Sequence, residues 1–289
     1  MLKKTILAIA LVIMAILPAN AGKVVTDSIQ SKVLGTEVKY NVYLPDGYDK
    51  APDAHYPVVY LLHGLYGTYK DWADGGNMAQ VADELIRADA CDKMVIIMPN
   101  AGNVDVRNVQ NGYFNVEDWN YEDFFFTELL PVAEQKYRCG GCKTQRAIMG
   151  LSMGGGGSTV YCQRHPDMFS SCYAMSAWLD NEKNQVGGGE GPVKDKLVIV
   201  CESVKEHSAV RFIENADEKT LEQLRTVRWF IDCGDDDFLF DVNVRFYQAM
   251  RDRKVKAELR VRDGVHNWEY WHACFRNALP FASRGFKAE

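Results

Sequence analysis

The chain has 289 residues, of which 47% are hydrophobic and 25% charged, a balance typical of a globular protein. This length suits one large α/β domain or two small ones. The net charge is −6 at pH 7. Because nucleic-acid-binding proteins need a basic surface, this charge excludes nucleic acid as a partner.

The first 21 residues have the pattern of a cleaved export signal. Two lysines precede the apolar run 5–17, and Ala-Asn-Ala at 19–21 is a small-x-small cleavage site. A run of about 13 apolar residues is shorter than the ~20 that a membrane-spanning helix needs. We therefore expect a mature chain, 22–289, that is periplasmic or secreted and has no membrane contact after signal cleavage.

Segments with strand and helix patterns alternate along the rest of the chain. Segment 37–45 alternates apolar and polar residues, which predicts an antiparallel strand at a sheet edge. Further strands are predicted at 56–64, 93–100, 145–150, 170–177, 227–234 and 256–264, and helices at 77–88, 121–137, 153–164, 217–225, 241–253 and 268–279. Because helices separate the strands, we expect an α/β fold whose mostly parallel central sheet carries helices on both faces.

The alternation is weaker between residues 178 and 225. Segment 184–195 is rich in glycine, as flexible linkers are, and segment 196–203 fits a strand as well as a helix. We expect an insertion above the sheet, after the sixth strand, rather than a second domain. Residues 22–289 would then form one domain.

The sequence Gly-Leu-Ser-Met-Gly at 150–154 lies between a predicted buried strand and a predicted helix. In that context G-x-S-x-G forms a sharp turn that exposes the serine hydroxyl, and its glycines let the strand and the helix pass closely. A phosphate-binding loop would need another glycine spacing, which is not found here. An incidental serine in a glycine-rich turn is the simpler alternative. Ser152 is the candidate nucleophile.

A serine hydroxyl needs a base to remove its proton, and a histidine usually supplies it. Of the six histidines, only His207, His266 and His272 follow the serine strands late enough to supply this base. His266 comes just after the last predicted strand, where the loops of such sheets carry catalytic groups. His207 lies in the insertion and His272 inside the closing helix. We expect His266 to be the base.

The acid of such a triad is expected after the preceding strand. The sequence offers Asp232, Asp235, Asp236, Asp237 and Asp241 there. The first is on the strand itself, and the last begins a helix, where capping explains a carboxylate. Asp237 ends a turn before an apolar run and is preferred, with Asp236 and Asp235 as alternatives in an otherwise solvated acidic loop.

The negative charge that develops on the substrate carbonyl oxygen needs two backbone N–H donors. One donor is expected from Met153, the residue after the nucleophile, and the other from Leu65, in the loop after the strand that ends Leu-Leu-His-Gly. His63 is expected to shape this loop as a hydrogen-bonded structural histidine.

Cys139 and Cys142 form an isolated C-x-x-C pair among eight cysteines. The pair lies in a turn before a strand, which does not fit a redox motif, and a second pair for a zinc site is missing. A local disulfide or two free thiols are the remaining interpretations. No metal and no cofactor are expected.

Five segments together resemble a known enzyme family: LLHGLYGTYKDW, IIMPNAG, GLSMGGGGS, DCGDDDFLFD and GVHNWEYW. They are similar to the secreted feruloyl esterase-like family, in the esterase D, S-formylglutathione hydrolase and mycolyltransferase branch of the α/β-hydrolases. The resemblance implies an α/β-hydrolase fold, no metal, and ester hydrolysis through an acyl-enzyme. It places the triad on Ser152, His266 and Asp237 and the oxyanion donors on Leu65 and Met153.

The same resemblance places substrate-facing residues in the loop after IIMPN, in the insertion from Trp178 and beside Trp268. With Trp271, these tryptophans would form a wall for a phenolic ring or a sugar, although core packing explains them equally well. The expected function is an exported serine esterase acting on plant cell-wall polysaccharide esters. Alternatives are an acetyl-xylan or siderophore esterase, an acyltransferase, and a catalytically inactive carbohydrate-binding protein.

Overall fold

Strands and helices alternate along this computed structural model, which describes residues 21–102, 112–182 and 196–286. The strands are β1 (Lys23–Gln30), β2 (Glu37–Leu44), β3 (Val58–Leu62), β4 (Val95–Met98), β5 (Asn115–Val116), β6 (Trp119–Asn120), β7 (Arg146–Leu151), β8 (Ser171–Met175), β9 (Arg228–Gly234) and β10 (Ala257–Arg262). The helices are α1 (Asp71–Asp74), α2 (Met78–Arg87), α3 (Tyr121–Phe124), α4 (Leu130–Lys136), α5 (Met153–Arg164), α6 (Lys196–Glu206), α7 (Ala209–Asn215), α8 (Glu218–Leu224), α9 (Phe240–Asp252) and α10 (Trp268–Phe286). Nearly all of the predicted export signal and the predicted linker 184–195 lie outside the described residues.

A large sheet has eight strands in the order β1-β2-β4-β3-β7-β8-β9-β10, while β5 and β6 pair separately. From β4 to β10 in that order, all neighbouring strands are parallel. Only β1 and β2 join antiparallel at one side. The predicted mostly parallel sheet is confirmed, and the carboxyl ends of its parallel strands meet at one edge, where such sheets bind ligands.

Helices cover both faces of this sheet, which explains the continuous apolar runs of its central strands. In β3, Val58, Tyr60 and Leu62 pack into a core with α4, α5, α7 and α9. The alternate residues Val59 and Leu61 pack into a second core with α2 and α10. Each central strand therefore needs apolar side chains at successive positions.

The prediction that segment 37–45 forms an edge strand is wrong. β1, which the sequence pattern did not predict, pairs with β2 along its whole length and takes the edge. The polar alternation in β2 comes from exposed Glu37 and Lys39 at one end of the strand. β1 itself is half-exposed over most of its length, so its apolar pattern is weak.

The insertion between β8, the sixth strand of the large sheet in chain order, and β9 contains α6, α7 and α8. Segment 196–203, for which the sequence left strand and helix open, is helical. The predicted helix 121–137 is divided by a π-helical turn, Phe125–Leu129, before Pro131, which has no N–H to donate. Within the described ranges, no helix combines the length and the apolar character needed to cross a bilayer.

The pair Cys139 and Cys142 is present as two free thiols. Cys139 is buried in the core, and burial raises the pKa of its thiol, so it remains protonated. Cys142 is exposed, with its Sγ 3.3 Å from Thr144 Oγ1. Of the two interpretations left open by the sequence, the structure therefore has the free thiols.

The glycines flanking Ser152 lie where three backbone segments meet. A Cβ on Gly150 would lie 2.5 Å from the carbonyl carbon of Gly154. A Cβ on Gly154 would lie 2.5 Å from the carbonyl oxygen of His63, beyond the end of β3. Because backbone cannot move aside as a flexible side chain can, any larger residue would push α5 away from the sheet.

We expect Gly154→Ala to destabilise the protein by about 1–3 kcal/mol, because the added methyl group overpacks a backbone contact. Thermal unfolding followed by circular dichroism measures this as a lower melting temperature. Gly112→Ala is the matched control, since its Cβ would come no nearer than 3.9 Å to its neighbours. Equal melting temperatures for the two variants would contradict the close-packing explanation.

Candidate active site

The backbone of Ser152 forms a strained turn between β7 and α5. Its φ of 54° and ψ of −120° are rare outside glycine and cost about 1–3 kcal/mol. The Ser152 N–H donates to the Met175 carbonyl at 2.9 Å, and the Ser152 carbonyl accepts from the Trp178 N–H at 2.9 Å. These two bonds from the end of β8 hold the turn in its strained conformation.

His266 lies in the loop between β10 and α10, with its Nε2 2.9 Å from Ser152 Oγ. Its ring contacts Phe238, with 4.5 Å between ring centroids, and Trp271, edge to face at 4.9 Å. The loop is fixed by the Gly264 N–H, which donates to Asp235 Oδ1 at 3.1 Å. The structure thus brings together two side chains that are far apart in the sequence.

Asp237 lies behind His266, whose Nδ1 is 3.0 and 2.9 Å from the two carboxylate oxygens. Burial raises the pKa of Asp237, but hydrogen bonds from His266 and the Leu239 N–H outweigh it and hold the pKa below its usual value. Asp237 is therefore ionised at neutral pH and accepts a hydrogen bond from Nδ1–H of His266. The neutral imidazole then presents its unprotonated Nε2 to Ser152.

The other aspartates named from the sequence point elsewhere. Asp235 and Asp236 are exposed, and their carboxylate oxygens cluster with one of Asp263, all within 4.8 Å of one another. Asp241 is exposed in the first turn of α9. Asp232 is fully buried and accepts hydrogen bonds from Tyr173, Tyr270 and Arg262 side chains.

The two other histidines considered as the base, His207 and His272, also have different partners. The Nδ1 of His207 lies 2.8 Å from the carbonyl of Ser203, and its ring stacks on Phe114. The Nε2 of His272 lies 3.0 Å from the Gly75 carbonyl. Of the three histidines, the structure brings His266 to Ser152.

Leu65 lies beside Ser152 in the loop after β3. The loop runs close to the Ser152 turn, since a Cβ on Gly64 would lie 3.5 Å from Ser152 Cβ. Among the described residues, neither the Leu65 N–H nor the Met153 N–H donates a hydrogen bond. Both donors are thus available to a ligand.

His63 fixes this loop with both ring nitrogens. Its Nδ1–H donates to the Gly64 carbonyl at 2.8 Å, and its Nε2 accepts the Ala101 N–H at 3.0 Å. The Gly67 N–H closes the turn on the same Gly64 carbonyl at 3.0 Å. A single neutral tautomer satisfies both bonds of the buried imidazole.

A cleft of about 270 Å³ opens beside Ser152 and His266. Its further lining residues are Gly64, Leu65, Asp71, Leu151, Trp178, Phe238, Trp268 and Trp271. Trp178 is 2% exposed and Phe238 54%, so the former lies deep in the wall and the latter at the rim. The structure places both tryptophans named from the sequence, Trp178 and Trp268, against this cleft.

Three residues that line the cleft were not predicted from the sequence: Phe238, Leu151 and Asp71. Phe238 could have been found, because it is an aromatic residue directly after the preferred acid. Part of the loop after IIMPN that was expected to face the substrate, residues 103–111, lies outside the described residues. At the far end of that loop, Trp119 donates its indole N–H to the Ala101 carbonyl at 3.1 Å.

Residues 31–282 match the family model described as "Putative esterase". The chain belongs to this esterase family. The motif resemblance predicted the same family, and that prediction is confirmed.

The curated relatives of this chain include two proteins from Xylanibacter ruminicola and Mycobacterium tuberculosis. The endo-1,4-beta-xylanase/feruloyl esterase of Xylanibacter ruminicola is 27% identical over 259 residues, 88% of this chain and 30% of that protein. Esterase Rv1288 of Mycobacterium tuberculosis is 31% identical over 150 residues, 51% of this chain and 30% of that protein. The chain thus spans about 30% of the length of these curated relatives.

Solved structures share the fold of this esterase. A ferulic acid esterase is 46% identical and superposes with a TM-score of 0.86, covering 92% of this chain and 99% of its own. An S-formylglutathione hydrolase from Staphylococcus aureus, 20% identical, shares the fold with a TM-score of 0.72 over 91% of this chain and 99% of its own. The predicted α/β-hydrolase fold is confirmed.

We expect His63 to make the esterase less stable in acid. Burial lowers the pKa of His63 from its ordinary value of 6.5, so below that pH the unfolded chain binds a proton that the folded protein does not. The free energy of unfolding therefore rises with pH in this window and falls as the pH drops through it. The melting temperature, measured between about pH 7.5 and about pH 5.5, reports the effect.

His63→Gln should lower the melting temperature overall but flatten its dependence on pH. His55→Gln, at an exposed histidine, is the control and should keep the wild-type slope. An unchanged slope in His63→Gln would show that the acid sensitivity has another source.

Proposed function

We propose that this chain hydrolyses carboxylic esters with Ser152 as nucleophile, His266 as base and Asp237 as the acid that orients it. The observation that carries the proposal is the hydrogen-bonded series from Ser152 Oγ to His266 Nε2, at 2.9 Å, and from Nδ1 to Asp237, at 2.9 Å. A base at this distance removes the hydroxyl proton as Oγ attacks. Membership of an esterase family supports the same chemistry.

The reaction would proceed in two steps with the same groups. Ser152 Oγ attacks the ester carbonyl while His266 Nε2 takes its proton, and Asp237 stabilises the imidazolium that forms. Nε2–H then protonates the departing alcohol, which leaves an acyl group on Ser152. Water, deprotonated by Nε2, attacks this acyl-enzyme, and the acid is released as Ser152 regains its proton.

The N–H groups of Leu65 and Met153 would hold the oxyanion in both steps. Support comes from the place of Leu65 in the cleft beside Ser152, from Met153 being the next residue in the chain, and from the absence of a competing acceptor among the described residues. The buried imidazole of His63 fixes the loop that carries Leu65. Donors set in place before the reaction stabilise the developing charge without reorganisation.

The acyl group that we propose is planar and aromatic, as in feruloyl esters. Four aromatic side chains line the cleft: Trp178, Phe238, Trp268 and Trp271. The cleft has a volume of about 270 Å³, which is small for a ligand site. A cleft of this size would hold the acyl group and leave the alcohol part of the ester outside. The ferulic acid esterase that is 46% identical supports this assignment.

We further propose that the alcohol part is a plant cell-wall polysaccharide and that the protein is exported to reach it. Export rests on the signal-like residues 1–21. The relative that combines xylanase and feruloyl esterase in its name supports a xylan ester. A catalytically inactive binding protein would not need the hydrogen-bonded series from Asp237 through His266 to Ser152.

Substitutions in the triad test the proposed chemistry. We expect Ser152→Ala to lower kcat on a p-nitrophenyl ester by about 10⁵-fold or more, because the nucleophile is lost. Asp237→Asn should lower kcat by about 10³–10⁴-fold, because the imidazole loses its orienting partner. Asp236→Asn is the matched control at an exposed neighbour and should stay near wild type.

The same proteins should be treated with a fluorophosphonate and analysed by mass spectrometry. The wild type should gain one label and Ser152→Ala none. Equal labelling of Ser152→Ala would remove Ser152 as nucleophile, and a greater loss of activity in Asp236→Asn would remove Asp237 as the acid.

Phe238→Ala tests the proposed acyl group. We expect it to lower kcat/KM for methyl ferulate by about 10-fold, because an aromatic contact at the rim is lost, and to change p-nitrophenyl acetate hydrolysis little. Val132→Ala, an exposed apolar residue on α4, is the control. An equal loss on both esters would contradict an aromatic subsite at Phe238.

The wild-type protein should also hydrolyse methyl ferulate in preference to acetylated xylan. A preference for acetylated xylan would make the protein an acetyl esterase instead.

A further inference from the structure

Asp232 is a second buried carboxylate close to the triad in the chain. It lies on β9, the strand that leads to Asp237, and its side chain is 0% exposed. Its neighbours on the strand, Ile231 and Cys233, are apolar and buried in the core. A carboxylate removed from water is unfavourable unless its oxygens accept strong hydrogen bonds. Because a buried ion pair adds little net stability, the contacts of Asp232 indicate another role.

The Asp232 carboxylate binds both ends of the loop that carries His266. Arg262, the last residue of β10, donates from Nη2 to Oδ1 at 2.9 Å and to Oδ2 at 3.0 Å. Tyr270, in the first turn of α10, donates its hydroxyl to Oδ1 at 2.7 Å. His266 lies between these two residues in the chain. One buried side chain on β9 therefore fixes the loop where it begins and where it ends.

The ring of Tyr270 packs directly against this loop. A Cβ on Gly264 would collide with the ring, and the φ of 153° at this position favours glycine. The guanidinium of Arg262 lies over the same ring, 4.9 Å from its centroid. The Tyr270 N–H donates to Asn267 Oδ1 at 3.0 Å, which ties the start of α10 to the end of the loop. The place of the ring, set at its hydroxyl by Asp232, therefore determines the course of the loop.

Tyr173 offers a natural comparison with Tyr270. Its hydroxyl donates to the other oxygen of the same carboxylate, Asp232 Oδ2, at 2.6 Å. Tyr173 lies on β8, whose backbone is hydrogen-bonded to β7 on one side and to β9 on the other. The sheet holds that backbone without help from the hydroxyl. Two buried tyrosines thus bind one carboxylate, but only Tyr270 adjoins the loop of the base.

We propose that Asp232 is a positioning residue for His266, acting through Arg262 and Tyr270 at the two ends of its loop. The loop presents the imidazole Nε2 to Ser152 Oγ at 2.9 Å. Asp237 follows the same strand and bonds the imidazole at Nδ1. β9 thus positions the base twice, directly through one carboxylate and through the loop with the other. The inference rests on the proposed function, since it assigns Asp232 to the same reaction.

The matched variants Tyr270→Phe and Tyr173→Phe test this role. With p-nitrophenyl acetate, Tyr270→Phe should lower kcat by about 10-fold with KM within about twofold, because small displacements of a catalytic group cost rate steeply. Tyr173→Phe should keep the wild-type kcat. Both should lower the melting temperature to a similar extent, because each loses one hydrogen bond to the same buried carboxylate. General destabilisation would therefore not separate the two variants.

Asp232→Asn removes the charge from the proposed positioning residue itself. We expect it to lower kcat by about 100-fold, because the amide is a weaker acceptor for Tyr270 and leaves Arg262 without its counter-charge. Wild-type kcat in a folded Asp232→Asn would overturn the proposal. Should this variant fail to fold, the comparison of the two tyrosine variants decides.

The proton on His266 Nδ1 gives a readout that does not depend on turnover. Because it lies in a hydrogen bond to Asp237, it should appear as a low-field proton resonance in the NMR spectrum of the wild type and be absent from His266→Gln. In Tyr270→Phe this proton should exchange faster with water, since the imidazole is held less firmly. In Tyr173→Phe it should exchange at the wild-type rate.

The outcomes separate the positioning role from the proposed function. Equal losses of kcat in Tyr270→Phe and Tyr173→Phe would reduce the effect to general destabilisation and overturn the role of Asp232. Wild-type kcat and wild-type proton exchange in Tyr270→Phe would overturn it as well. An active Ser152→Ala would instead refute the proposed function, whatever the tyrosine variants show.

Discussion

The left-handed backbone of Ser152 is the constraint on which the rest of the site depends. The turn is held by two hydrogen bonds from the end of β8, to the N–H and to the carbonyl of the same residue. This arrangement requires β7, α5 and the loop after β3 to pass within van der Waals contact. Gly150 and Gly154 allow that approach, since a side chain at either position would collide with backbone atoms.

Once this turn is in place, the parallel sheet brings the other groups to it. Leu65 follows β3, Asp237 follows β9 and His266 follows β10, so each comes from the carboxyl end of a parallel strand. Those ends meet at one edge of the sheet, and short loops are enough to bring the side chains together. The helix after His266 also carries Trp268 and Trp271, so the loop that carries His266 continues into the aromatic wall of the cleft.

Sequence reasoning located the elements that depend on local patterns. The G-x-S-x-G turn, the strands beside it and the loop after the last strand are each recognised from a few neighbouring residues. They led to Ser152, Asp237 and His266, and the structure places Ser152 and Asp237 each within hydrogen-bonding distance of His266. The sequence pattern does not explain the three glycines that follow this turn, because their close contacts involve segments elsewhere in the chain: Gly155, Gly156 and Gly157.

What sequence reasoning missed depends on contacts between distant segments. Ser176 and Trp271 are 95 positions apart and form one hydrogen bond, which no local pattern shows. β1 was missed because it is half-exposed, and its strand conformation depends on pairing with β2. Phe238 is the exception, because its place in the cleft follows from its position directly after Asp237.

A crystal structure of the protein after reaction with a fluorophosphonate tests the central claim most directly. We expect phosphorus bonded to Ser152 Oγ and a phosphoryl oxygen about 3 Å from the N–H groups of both Leu65 and Met153. The Ser152 backbone should remain left-handed in that adduct. A label on another side chain would contradict the assignment of Ser152 as the nucleophile, and an oxygen turned away from both N–H groups would contradict Leu65 and Met153 as the oxyanion donors.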